Sequence, residues 1–296
     1  MPVSGSAERL GVIAGGGALP RLVAEAERQA GGDPFVIALR GNAGDWVGAY
    51  ETAAAGPGQV GRIFSVLRAA GCRRVCLAGG LQRPSLTNLR FDFTALRMLP
   101  VLRRLMRRGD DGLLRGLAEI FENRGFQLVG AHELLGDLLA PHGPLGDRSP
   151  SKPDLEDVAR AAEIVAALGR VDVGQGAVVA RGRCLAVETV QGTDAMLARL
   201  EGETRRGGAP VPSGVLYKAP KPGQDLRLDM PAIGPETVRR AARAGLNGVA
   251  IEAGSVFVLD VDATVAAADA AGVFVYGWSA TEKAAATGTE QGEAAE

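Results

Sequence analysis

The sequence predicts an α/β protein in two parts: a parallel sheet wrapped by helices in the amino-terminal half, and a distinct mixed α/β carboxy-terminal domain. Three observations carry this. Short apolar runs alternate with helical segments in the first half; a Pro- and Gly-rich stretch, "APHGPLGDRSPSKPD", then interrupts the pattern; after it, glycine-centred hairpins precede the helices.

"LGVIA" and "PFVIAL" read as buried strands joined by a helix over residues 18–30. A second helix over 59–70 leads into the strand "RVCLAGG", and this alternation implies right-handed crossovers between parallel strands. Two more helices, "FTALRMLPVLRRLMRR" and "DGLLRGLAEIFENRG", precede a last strand, "FQLVGAHEL". The expected divisions are a nucleotide-binding domain at 1–145, a linker at 146–154, a second domain at 155–280 and a disordered tail at 281–296.

The second domain opens with a helix over 155–168. "GAVVARGRCLAVET" then reads as a hairpin turning at Gly182, followed by a helix over 193–206. "NGVAIEAGSVFVLD" reads as a similar hairpin turning at Gly254, followed by a helix over 263–271. Superposing the two turns sets Glu188 opposite Asp260; a weak duplication and a coincidence of two short hairpins are both open.

The chain has 296 residues, enough for two cores, and a formal charge of -1, so no global field draws it to nucleic acid. Three cysteines, Cys72, Cys76 and Cys184, lack a zinc-site spacing and fit a reducing cytoplasm. The first residues lack a signal-peptide pattern, and no apolar run reaches the ~18 residues of a membrane span.

Gly15, Gly16 and Gly17 join the first strand to its helix, where backbone N–H groups and the helix dipole can receive an anion. Pro20 occupies the third glycine position of the dinucleotide fingerprint, and the second strand ends in Arg40 rather than an acid. Arg40 could meet a 2′-phosphate, so an NADP-dependent oxidoreductase stays open, as does a tight turn that only needs small residues. Gly79, Gly80 and Arg83 of "LAGGLQRPS" belong to the same carboxyl edge of a parallel sheet, either as phosphate contacts or as an ordinary turn.

"VLYKAPKPGQDLRLDMPAIGPET" is the densest in chemistry. If residues 225–229 are extended, Asp225, Arg227 and Asp229 share one face, with Lys218 and Lys221 preceding them across a Pro-Gly turn. Carboxylates for Mg²⁺ beside cations for phosphate suit a diphosphate substrate; a solvated strand face of mixed charge is the alternative. In "AVETVQGTDAML", Thr193 or Asp194 can cap the following helix. Asp110 and Asp111 favour a helix start without chemistry, and His132-Glu133 lacks the second histidine of a zinc protease.

The segments "GVIAGGGALP", "LAGGLQRPS", "GDDGLLRGLAEIFENRGF", "AVETVQGTDAML" and "YKAPKPGQDLRLDMPAIGPETV" together resemble the LpxI-type UDP-2,3-diacylglucosamine pyrophosphatases of lipid A biosynthesis. The resemblance spans nearly the whole chain before the tail. It implies a Rossmann-like amino-terminal domain, a separate carboxy-terminal domain, and metal-dependent cleavage of UDP-2,3-diacylglucosamine to UMP and 2,3-diacylglucosamine 1-phosphate. Two positions depart from the family pattern: Gln191, where an acid is expected, and Gly80, where a lysine is expected.

Joined to the residues, it implies Asp225, Lys218 and Lys221 as catalytic groups, and Asp225, Asp194 and Asp229 as ligands of Mg²⁺ or another divalent metal. Gly15, Gly16, Gly17, Gly79, Gly80, Arg83, Thr193 and Gln224 would bind substrate. The expected partners are UDP-2,3-diacylglucosamine and its lipid product, with no nucleic acid; the reading allows for a homodimer. A cytoplasmic location is expected, with peripheral inner-membrane contact allowed: Arg97, Arg103, Arg104, Arg107 and Arg108 could touch anionic headgroups or form a solvated helix face. A non-catalytic nucleotide-sugar sensor is the rival from another class.

Overall fold

A computed structural model describes residues 8–42, 44–56, 58–80, 92–98, 109–205 and 213–279. Its contacts divide the chain into two units: Met1–Gly136 with Asp225–Asp229, and Asp137–Gln224 with Met230–Glu296.

In the first unit, β1 (Leu10–Ala14), α1 (Leu19–Gln29), β2 (Phe35–Leu39), β3 (Glu51–Ala55), α2 (Val60–Ala69), β4 (Arg74–Ala78), α3 (Gly109–Glu122), β5 (Gln127–Leu128) and α4 (Ala131–Leu134) follow one another. All five strands are parallel, in the order β3-β2-β1-β4-β5. Leu10, Val12, Val36, Ile37 and Val75 are fully buried, as expected for strands covered on both faces. Phe64, Phe121 and Phe126 form an aromatic cluster within the same core, the first two rings 4.9 Å apart edge to face. Pro20 lies near the start of α1, where its missing N–H costs nothing because the first turn has no intrahelical acceptor.

The observed elements correct the sequence reading in places. β3 was not expected: "ETAAA" has no large apolar side chain, and it forms as an edge strand paired with β2, Phe35 opposite Glu51. "FQLVGAHEL" is a strand only at Gln127–Leu128; the Glu133 carboxylate then accepts from Gly130 N–H at 2.7 Å and starts α4. Residues 93–98 are helical, their start held by Asp92 accepting from Ala95 N–H at 2.8 Å. Arg83, Arg103, Arg104, Arg107, Arg108 and the 281–296 tail lie outside the described residues.

The second unit contains β6 (Gly143–Pro144), α5 (Lys152–Gly169), β7 (Gly176–Ala180), β8 (Arg183–Val187), α6 (Gly192–Arg205), β9 (Val215–Lys218), β10 (Ala232–Ile233), α7 (Pro235–Arg243), β11 (Gly248–Glu252), β12 (Phe257–Val258), α8 (Val261–Ala271) and β13 (Phe274–Trp278). Six strands make a mixed sheet, β6-β13-β11-β9-β7-β8, with β9, β11 and β13 mutually parallel. Alternation sorts the side chains: Val215 and Tyr217 of β9 join Val158, Ala161 and Val165 of α5, while Leu216 joins Leu197 of α6 and Val238 of α7 on the other face.

The predicted first hairpin is present: Arg181 (φ 52°) and Gly182 (φ 73°) are both left-handed, as a tight hairpin turn requires, and their N–H groups donate to buried Asp157. The predicted second hairpin is not. β11 pairs with β9 and β13, whereas β12 pairs in parallel with β10 in a separate two-stranded sheet. Part of the Pro- and Gly-rich stretch is also structured, because β6 pairs antiparallel with β13. Helix α5 starts three residues earlier than expected, at a Ser151 cap whose Asp154 partner returns a bond to Ser151 N–H at 2.9 Å. Among the described residues no helix is long and apolar enough to cross a membrane.

Candidate functional site

The first unit brings its two glycine turns together at the carboxyl ends of β1 and β4. Gly15 N–H donates to Ala78 O, Gly16 N–H to Gly80 O (each 2.8 Å), and Gly80 N–H returns to Gly16 O at 3.1 Å. These glycines are required by contact: a Cβ on Gly15 would lie 2.8 Å from Gly79 O, and one on Gly79 would lie 2.4 Å from Gly16 O. Three of the N–H groups expected to meet phosphate, those of Gly15, Gly16 and Gly80, are thus spent zipping the turns. The N–H groups of Gly17 and the first turn of α1 stand ahead of the helical ladder, where a helix start receives anions.

Residues 225–229 belong to this first unit, and they form a turn rather than the expected extended strand. Leu228 N–H donates to Asp225 O at 3.0 Å, and Arg227 N–H donates to the Asp225 carboxylate at 3.1 Å, so the aspartate closes the turn with its own side chain. Arg227 adds Nε to Oδ1 at 3.0 Å and Nη2 to Oδ2 at 2.7 Å, and its Nη1 donates to Glu122 of α3 at 2.9 Å. These bonds and Arg115 hold the Asp225 carboxyl below its ordinary range, against the opposing effect of burial. A carboxylate offers about four acceptor positions, and Arg227 fills three of them. Asp229 ends the turn, its N–H 3.4 Å from Asp225 O.

The second unit holds the lysines. Lys218 ends β9 with 8 % exposure, and its ammonium donates to Thr193 Oγ1 at 2.9 Å and Ala232 O at 3.1 Å. The Thr193 hydroxyl in turn donates to buried Glu188 at 2.6 Å. Lys221 pairs with Asp172, which sits in a left-handed turn. Gln224 closes the Pro222-Gly223 turn, its Oε1 accepting from Lys221 N–H at 2.8 Å while its own N–H donates to Lys221 O at 3.0 Å. Thr193 points inward from the first turn of α6, whereas exposed Asp194 faces Arg240 of α7, 3.7 Å away.

The structure therefore brings together Gly15, Gly16, Gly79 and Gly80 in one unit, and Lys218 with Thr193 in the other. Asp225 and Asp229 share a turn; Asp194 belongs to a different unit from them. Among the described residues no three His, Cys, Asp or Glu side chains converge. Asp225 is engaged by Arg227 and Asp194 faces Arg240, so the donors present do not fit a preformed divalent-metal centre. Glu188, Asp172 and Glu122 were not among the expected site residues. Glu188 alone carried a signal, its place five residues before Thr193 in "ETVQGT"; Asp172 and Glu122 reach their partners across long sequence gaps that no local pattern records.

Comparison with known proteins covers both units. Residues 9–138 match the LpxI N-terminal domain, and residues 141–276 match the LpxI C-terminal domain. The chain is 46% identical over 277 residues to the UDP-2,3-diacylglucosamine pyrophosphatase LpxI of Caulobacter vibrioides, which covers 93% of this chain and 99% of that protein.

Proposed function

Because the chain belongs to the LpxI family, we propose that it hydrolyses the diphosphate of UDP-2,3-diacylglucosamine to UMP and 2,3-diacylglucosamine 1-phosphate, within lipid A biosynthesis. The observation that carries this reading is the extent of the likeness, 46% identity over 93% of the chain, with both family domains matched.

In the proposed reaction a water oxygen bonds to phosphorus, the bridging P–O bond breaks, and the bridging oxygen leaves on the other phosphate. Asp225 takes the water proton. Its depressed pKa keeps it ionised at neutral pH, and the one acceptor position that Arg227 leaves on Oδ2 is where water would donate. Lys218 and Lys221 supply positive charge for the diphosphate oxygens, which gain charge as the bond breaks. The turn ahead of α1 offers N–H groups to a phosphate. No step is assigned to a metal; dependence on Mg²⁺ or another divalent cation belongs to the proposal as a property to be measured.

The two acyl chains of the substrate favour contact with an apolar surface by about 0.8 kcal/mol for each CH₂ buried, which gives a reason for association with the inner membrane's cytoplasmic face. The test is incubation of purified protein with UDP-2,3-diacylglucosamine and Mg²⁺, with and without EDTA, followed by mass spectrometry. UMP and the acylated sugar phosphate appearing together support the reaction, and their loss with EDTA supports metal dependence. Binding without turnover under any divalent metal overturns the hydrolase reading in favour of a nucleotide-sugar sensor.

A further inference from the structure

We propose that Glu188 is a positioning residue that fixes the Thr193 hydroxyl and, through it, the Lys218 ammonium in the orientation that meets a diphosphate oxygen. The proposal rests on the reading that Lys218 contacts the diphosphate. The three side chains form a buried chain, 6 %, 7 % and 8 % exposed for Glu188, Thr193 and Lys218.

The direction of each bond follows from chemistry. An ammonium can only donate and an ionised carboxylate only accept, so the Thr193 proton must point to Glu188 and its lone pair to Lys218. With Ala232 O taking a second N–H, the ammonium has donated two of its three protons among the described residues. One N–H remains, and two fixed bonds determine its direction. A negative charge needed only for neutralisation would have served by direct contact; an interposed hydroxyl adds a second angular constraint.

Glu188 is itself held. Its N–H donates to Gly176 O at 2.8 Å, at the start of β7. A Cβ on Gly176 would stand 2.8 Å from the Glu188 carboxylate, and one on Gly174 would stand 2.0 Å from Glu188 O. Two glycines thus clear the space into which Glu188 packs. Three other carboxylates of this unit are engaged elsewhere: Glu252 of β11 accepts from Tyr217, Asp194 faces Arg240, and Asp172 pairs with Lys221.

The experiment compares wild type, Lys218→Gln, Glu188→Gln, Thr193→Val and Thr193→Ser in kcat and KM, with thermal unfolding of each. Lys218→Gln tests the underlying reading: near-normal turnover would remove Lys218, and this proposal with it. If Lys218 matters, Glu188→Gln should lower kcat by about 10- to 100-fold with a smaller change in KM, the size expected for a misaligned charge. Thr193→Val should reproduce the loss of kcat and Thr193→Ser should restore it. Lower unfolding temperatures with an unmoved kcat would make Glu188 merely structural and overturn the proposal. Should Glu188→Gln not fold, the Thr193 pair decides the question alone.

Discussion

Arg227 grips both carboxylate oxygens of Asp225, Nε on Oδ1 at 3.0 Å and Nη2 on Oδ2 at 2.7 Å, across a single intervening residue. The grip orients the carboxylate and favours its ionised form without closing its last acceptor position. Asp225→Asn keeps an oxygen to close the turn but loses the charge and the proton acceptor. Turnover should therefore fall by about 100-fold or more. Because the pair is partly solvated, stability should change by ~1 kcal/mol or less. Steady-state kinetics and urea unfolding check the two halves, and near-normal turnover would remove Asp225 from the reaction.

Arg227→Gln should move the acidic limb of kcat/KM to higher pH. The side-chain bond from Arg227 is the largest cause of the lowered Asp225 pKa, so its loss lets the carboxyl protonate sooner as pH falls. The same sign governs stability. A depressed folded pKa contributes stability above the unfolded value, about 3.9, that is lost as pH falls through the folded one. The stability gap between wild type and Arg227→Gln should thus be fully present at pH 6 and narrow below about pH 4. Urea titrations at intervals from pH 3 to 7 would read it; a gap that ignored pH would mean that Arg227 acts through packing alone.

The amino-terminal sheet was legible because β1, β2 and β4 are continuous apolar runs bounded by glycine turns and helices with clear periodicity. β3 escaped because "ETAAA" owes its strand to the neighbour it pairs with. The supposed second hairpin failed for the opposite reason: Gly254 does turn the chain, with φ 71°, but the strand after it finds its partner in β10. Residues 225–229 alternate like a strand, yet Asp225 bonds the local backbone and wins a turn. Lys218 and Thr193 could each be named from sequence, but their bond joins residues 25 positions apart, so the chain running on to Glu188 depended on how β9 and α6 pack.

Gly79 and Gly17 separate two reasons for glycine. Both have positive φ, 86° and 89°, but a Cβ on Gly79 would strike Gly16 O, whereas one on Gly17 would meet nothing within 4 Å. Gly17→Ala should cost about 1 kcal/mol, from backbone strain. Gly79→Ala should cost at least ~2 kcal/mol more, since the strand-end zipper must open as well. Equal losses in chemical denaturation would mean that the two turns do not constrain each other.

The three cysteines should divide by burial into one reactive thiol and two protected ones. Burial pushes Cys72 up to about 11 and Cys76 up to about 12, so neither supplies appreciable thiolate at pH 8. Cys76 is enclosed within β4, an inner strand of the parallel sheet, and Cys72 sits just before that strand, buried in the core with Phe64 and Phe121. Cys184 is exposed on β8, the edge strand of the second sheet. A disulfide reagent such as Ellman's should therefore titrate one thiol rapidly in the native protein and all three in denaturant, and Cys184→Ser should abolish the rapid phase. Reaction of Cys72 or Cys76 requires their core to open, so its rate should rise with urea well before the midpoint of unfolding only if that core opens locally. A slow phase that instead followed global unfolding would show that the first unit's sheet opens as one cooperative body.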